Sequence, residues 1–185
     1  MLIAGLSSGS IVTIKYTSND NQWSQTDFRA HESSVNALSV KKDSLSADPN
    51  GVKKLRFVSC SCDNQVFEWV QDGDVFRRVK VGSHDEWVRD VSFAPASIGV
   101  AHARVVSGGE DSRVKVWKCA EGSEEWELET EILINEPVWR VEWNPMGSLI
   151  SVCSGENNTS VYKEKSLGSG EWEKDVLMGA DGIVK

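Results

Sequence analysis

The sequence predicts an all-β domain built from repeated four-stranded units, on two observations. Segments of strand length are separated along the whole chain by turns rich in glycine, serine, aspartate and asparagine. One ordered set of residues then occurs twice: His31, Ser59, Asp63 and Trp69, followed by His84, Ser107, Asp111 and Trp117. The two histidines stand 53 positions apart and the two tryptophans 48. A period of that size, with several strands per unit, predicts a β-propeller in which each unit is one blade.

The unit beginning at His84 is the clearest. Trp87 to Ala94 mixes large apolar and polar residues, as a strand covered on both faces does. Arg104 to Ser107 reads as a second strand, and Gly108-Gly109-Glu110-Asp111-Ser112 supplies the backbone freedom and acceptors of a tight turn. Arg113 to Lys118 returns as a third, and Trp126 to Ile134 closes the unit as its outer strand. The preceding unit runs through Val35 to Val40, Arg56 to Ser59, the turn Cys62-Asp63-Asn64, Val66 to Trp69 and Asp74 to Val81. Its polar insertion, Lys41 to Lys54, holds Asp48-Pro49-Asn50-Gly51 and reads as a surface loop.

The chain opens inside a unit. Leu2 to Tyr16 forms second and third strands joined at Ser7-Ser8-Gly9-Ser10, and Trp23 to Arg29 forms the fourth. A final unit has Val138 to Trp143, Ser148 to Cys153, Thr159 to Glu164 and Trp172 to Met178. Its punctuation is weaker: Ile134 and Asn135 stand near the place of the histidine, Glu156 at that of Asp111, and Tyr162 at that of Trp117. Terminal repeats are often atypical in this way. The expected division is a partial blade over 1–30, blades over 31–83 and 84–134, a last blade over 135–178 and a polar tail over 179–185.

Composition narrows the functional classes. The chain of 185 residues is 39% hydrophobic, enough for a substantial core. A net charge of −8 argues against nucleic-acid or anionic-membrane binding, which draws its affinity from lysine and arginine, and favours protein partners. No apolar run has membrane-spanning length, and the start lacks the pattern of a signal peptide, so the cytosolic side is the expected location. Cys60, Cys62, Cys119 and Cys153 have no CxxC spacing and read as small hydrophobes rather than disulfides or metal ligands. No cofactor is expected.

Ser107, His84 and Asp111 have the residue types of a hydrolase triad, yet the set is repeated at the blade period. An enzyme needs one nucleophile in one cleft, whereas a set used once per blade is a structural device. In WD repeats the turn aspartate accepts from the loop histidine, which engages the strand serine, which meets the tryptophan indole. That reading predicts two buried tetrads and no catalysis. His102, in a variable connection, is expected to be exposed. Trp69, Trp87, Trp117, Trp139 and Trp143 are expected to pack between blades, and Trp23, Trp126 and Trp172 to begin outer strands. The acidic run Glu121 to Glu131 reads as a solvated blade edge.

Three phrases carry a resemblance to a known family: His84-Asp85-Glu86-Trp87-Val88-Arg89-Asp90-Val91 leading to Ala94-Pro95, Pro137-Val138-Trp139-Arg140-Val141-Glu142-Trp143, and Ser154-Gly155-Glu156-Asn157-Asn158 leading to Val161-Tyr162-Lys163-Glu164. In these the chain resembles the Sec-thirteen family, the WD-repeat propellers of the COPII outer coat that also serve in the Y-complex of the nuclear pore. The insertion at Lys41 to Lys54 is similar in place to one in that family.

The resemblance implies an incomplete propeller, about three and a half blades from the C-terminal half of a six-bladed open ring, with the family's first blades missing before Met1. It implies a structural role in ER-to-Golgi transport, at the cytosolic face of the endoplasmic reticulum and at the nuclear pore. It implies as partners the larger α-solenoid cage subunit of the coat, which donates a blade, and a scaffold nucleoporin. Trp139, Trp143, Val161 and Tyr162 of the last blade are then expected to face the donated blade. The competing readings keep the fold and change the assembly: the paralogous nuclear-pore propeller, or the cytosolic iron–sulfur assembly propeller.

Overall fold

The computed structural model describes residues 1–19, 21–41, 54–96, 102–120, 122–166 and 168–175. The surface loop expected over 41–54 and the tail over 179–185 lie almost wholly outside the described residues. Among those residues the chain is all β, in four antiparallel sheets. The first sheet joins β1 (Leu2–Gly5), β2 (Ser10–Thr17) and β3 (Gln22–Arg29); the second joins β4 (Val35–Val40), β5 (Arg56–Ser61), β6 (Gln65–Asp72) and β7 (Val75–Ser83). The third joins β8 (Val88–Phe93), β9 (His102–Gly109), β10 (Arg113–Ala120) and β11 (Trp126–Leu133), and the fourth β12 (Val138–Trp143), β13 (Leu149–Ser154), β14 (Asn158–Glu164) and β15 (Trp172–Asp175). Strands pair in chain order within each sheet, so every sheet is a meander.

The sheets pack face to face as propeller blades, and the cores lie in the seams between them. Ile11, Ala30, Val35, Phe57 and Trp69 fill the first seam. Val58, Cys60, Val66 and Val81 meet Val88, Val91, Phe93, Val105 and Trp117 in the second. Val106, Val114 and Val116 meet Val138, Val141, Trp143, Ile150, Val152 and Tyr162 in the third. Strands buried on both faces require this density of β-branched residues, and each such side chain removed from water contributes about 1.5–3 kcal/mol. Two glycines let the seams close further. A Cβ on Gly82 would stand 2.3 Å from Cη2 of Trp117, and one on Gly108 would stand 2.4 Å from Cγ1 of Val138.

Each first strand is irregular at the same register. Pairing slips between Val35 and Ala37 in β4, between Val88 and Asp90 in β8, and between Val138 and Arg140 in β12. Asn36, Arg89 and Trp139 are therefore the extra residues of three matching bulges. A bulge leaves its residue outside the ladder and re-aims its side chain.

Candidate functional site: buried tetrads and an exposed rim

Both serine-centred sets come together. Nε2 of His84 lies 2.8 Å from Oγ of Ser107, Nδ1 of His84 lies 2.9 Å from Oδ2 of Asp111, and the Trp117 indole donates to the same Oγ at 2.8 Å. In the preceding blade the corresponding distances are 2.7 Å from His31 to Ser59, 2.9 Å from His31 to Asp63 and 2.8 Å from Trp69 to Ser59. The carboxylate can only accept, so Nδ1 of each imidazole carries the hydrogen that points at the aspartate, while the serine hydroxyl accepts from the indole and faces Nε2. Each carboxylate also accepts backbone amides: Glu32 and Gln65 at Asp63, Asp85 and Arg113 at Asp111.

The electrostatics follow from this enclosure. Burial lowers the His31 imidazole below its ordinary value, with the Asp63 carboxylate opposing. Burial alone would raise the Asp111 carboxyl, but the His84 ring and the amides of Asp85 and Arg113 outweigh it and hold Asp111 low. Both serines are fully buried, so neither hydroxyl meets a cleft where a substrate could sit. What the arrangement can do is tie a loop, a turn and two strands of one blade into a unit.

The outer two sheets lack this device. In the register of the strands, Ala4 and Val152 stand where the serines do, and Ile14 and Tyr162 where the tryptophans do. The last blade makes a different tie, with Asn158 donating to Glu136 at 2.5 Å, while Glu156 is exposed. Trp143 and Tyr162 lie inside the third seam, at 6% and 8% exposure, and the Trp143 indole donates to the Ser92 carbonyl of the neighbouring blade. Val161 lies on the opposite face of β14, half buried.

Trp87 and Trp139 depart from the expected packing between blades. Trp87 precedes β8 and Trp139 occupies the bulge of β12, so both stand in the open at the end of the blades that carries the tetrad turns. The Arg89 guanidinium lies between them, 5.0 Å from the Trp87 ring centre and 5.4 Å from that of Trp139, and is paired with Glu110. The Trp139 indole donates to the Gly155 carbonyl at 2.8 Å. Beneath this rim the Asp90 carboxylate accepts the amides of Val91 and Val141, and burial still raises its pKa above the ordinary value.

A second polar cluster joins the third and fourth blades at the other end of the strands. Arg104, its side chain 2% exposed, pairs with Glu129 at 3.0 Å and Glu164 at 2.7 Å. His102 is not an exposed loop residue: it begins β9 half buried and accepts from Arg104 Nε at 3.1 Å. The acidic run is likewise not all solvated. Glu129 is buried on Arg104, Glu131 pairs with Arg113, and Glu124 pairs with Arg77 of the neighbouring blade. Trp126 reaches across the second seam to donate to Glu68 at 2.9 Å, and Trp172 packs edge-on to Trp143. Trp23 is 63% exposed against Tyr16. Cys60 and Cys119 are buried, Cys62 and Cys153 half buried, and all four are free thiols.

The "WD domain, G-beta repeat" family matches this chain over residues 21–69 and 77–118. Those two stretches contain the two tetrads whole. These are WD repeats.

The fourth blade lies beyond the matched stretches, in keeping with its different polar tie. Over nearly its full length the chain is also Sec13-like. It is 33% identical to Protein SEC13 homolog of Homo sapiens over 97% of this chain and 58% of that protein. It is 28% identical to Protein transport protein sec13 of Emericella nidulans over 95% of this chain and 58% of that protein. Against Protein transport protein SEC13 homolog B of Arabidopsis thaliana it is 36% identical over 64% of this chain and 39% of that protein. The chain thus spans less than two thirds of the length of these relatives.

Proposed function

We propose that this chain is propeller scaffold from a Sec13-type protein of the COPII outer coat, serving ER-to-Golgi transport with a second role in the nuclear pore. The observation that supports this most is the likeness to proteins named for protein transport over 97% of the chain. The chemistry of the tetrads agrees with it: each Ser-His-Asp set is buried and consumed in tying the loop, turn and strands of its own blade, which favours a rigid body over an active centre. Its partners in this reading are the α-solenoid cage subunit of the coat and a scaffold nucleoporin of the Y-complex. The propeller stiffens an elongated partner so that the assembled coat can impose curvature on the membrane.

Contact with that partner is assigned to the last blade. Of the four residues named for it, Val161 has a side chain on the face of β14 turned away from the third seam. Trp143 and Tyr162 would act from inside, by holding the blade against its neighbour.

The test is affinity purification of the endogenously tagged gene product from gently lysed cells, with mass spectrometry of what accompanies it. Recovery of an α-solenoid coat subunit, or of Y-complex nucleoporins, is the expected result. A bait that brings down neither assembly overturns the reading.

A further inference from the structure

The rim of Trp87, Arg89 and Trp139 has a chemistry that neither the tetrads nor the seams use. The two indoles leave 45% and 41% of their surface in water, although few side chains are driven more strongly out of it. Neither closes a seam, since one precedes its strand and the other rides on a bulge. Between them the protein has placed its own guanidinium, with the Glu110 carboxylate at its edge. A planar cation against an aromatic face, with a carboxylate beside it, is thus what these surfaces already accept from within.

The surroundings select the sign of a visitor. The loops at this end carry Glu32 and Asp85, with side chains 88% and 77% exposed, together with exposed Glu86 and half-buried Glu136. Of the nearby cations, Arg29 is paired with Glu32, Arg89 with Glu110, and Arg113 with Asp85 and Glu131, while Arg140 stands 3.8 Å from Asp90 with its side chain 71% exposed; Glu32, Asp85, Glu86, Glu110, Glu131 and Glu136 still outnumber these four arginines. Two outward indole faces in an acidic field remain. An anionic ligand would be repelled there, and a purely apolar one would strip water from carboxylates without replacing it.

We propose that this rim docks a basic, extended peptide segment, whose arginine or lysine side chains lie on the outward faces of Trp87 and Trp139 while Glu86 and Glu136 take the flanking charge. Tryptophan and arginine are the residues that most often carry binding energy at protein interfaces, and here Arg89 and Trp139 are fixed on strand bulges and Trp87 directly before β8 rather than on a long loop. This docking does not depend on which assembly the propeller belongs to.

The test uses the full-length gene product and two fluorescein-labelled probes, a peptide alternating arginine with glycine and the same peptide with glutamate for arginine, followed by fluorescence anisotropy. The arginine peptide is expected to bind saturably and the glutamate peptide not at all. Trp87→Ala and Trp139→Ala should each weaken binding roughly two- to fivefold, and the pair roughly tenfold. Glu86→Lys, an exposed change that leaves packing intact, should weaken it as well, whereas Glu124→Gln, which alters the acidic surface elsewhere, should not. Circular dichroism and the thermal midpoint verify that each variant is folded. Equal affinity for both peptides, no saturable binding, or equal effects of Glu86→Lys and Glu124→Gln with none from the tryptophan variants would overturn the proposal.

Discussion

The serine at the centre of each tetrad makes the sharpest prediction. Ser107→Ala removes an oxygen that serves two buried partners at once, the Trp117 indole N–H and Nε2 of His84, both at 2.8 Å. Each group left unpaired costs about 1–3 kcal/mol, so the substitution should destabilise by roughly 2–6 kcal/mol. That is a large share of the about 5–15 kcal/mol that holds a domain together. Trp117→Phe removes one of the two orphans in advance. In that background Ser107→Ala should cost only about half as much, a coupling of about 1–3 kcal/mol. Urea denaturation followed by far-ultraviolet circular dichroism reads all four corners of the cycle. If the two costs simply add within about 0.5 kcal/mol, the hydroxyl does not bridge indole and imidazole, and the account of the tetrad as one network is wrong. Ser59→Ala should behave alike in the other blade, where the distances are 2.7 and 2.8 Å.

Other expectations can be measured with the same assay. Gly82→Ala drives a methyl to within 2.3 Å of the Trp117 ring across a seam and should cost about 1–3 kcal/mol, because both neighbours sit in packed strands. Arg104→Met strands the Glu129 and Glu164 side chains, which are 5% and 2% exposed, and should cost about 3–5 kcal/mol. Removing the exposed Arg77 from Glu124 should cost less than about 1 kcal/mol, and equal losses at the two sites would contradict the burial assigned to Arg104. The His31 imidazole is lowered in the fold, so the unfolded chain binds its proton first as pH falls. Its contribution is whole above the unfolded value near 6.5 and is lost as pH falls toward the lower folded value, with a slope of at most about 1.4 kcal/mol per pH unit. His31→Asn should flatten stability between pH 7 and the acid range; an unchanged slope would count against the neutral buried ring.

What sequence could show and what it could not divide along a physical line. Turn and strand chemistry is local, so β4 and β12 could be bounded from residue pattern alone, and a tetrad could be recognised because its four members repeat at fixed intervals. Exposure on an inner strand is not local. Alternation gives the same reading for Trp139 and Trp143, yet one extra residue between Val138 and Arg140 shifts the parity and turns Trp139 outward while Trp143 stays at 6%. Pairing across a seam is also invisible in one chain of letters. Glu164 lies 60 positions from Arg104 and Glu68 lies 58 from Trp126, so nothing in the run Glu121 to Glu131 announces which carboxylate goes inside. His102 reads as a loop residue because its partners, Arg104 two positions on and Glu129 on β11, come together only once the blade has paired.

Gly82 and Trp117 also bear on how such a body carries force. Blades held only by greasy faces could creep over one another under a sideways load, since a smooth apolar contact resists separation better than sliding. The Trp117 ring occupies the place a side chain at Gly82 would take, and its own indole N–H is anchored to Ser107 at 2.8 Å. It works as a pin through two plates: to slip, the third blade must first pull its tryptophan out of the second. Shear along the seam is thereby converted into the breaking of a buried hydrogen bond, and a ring of sheets can transmit torque as a single rigid piece.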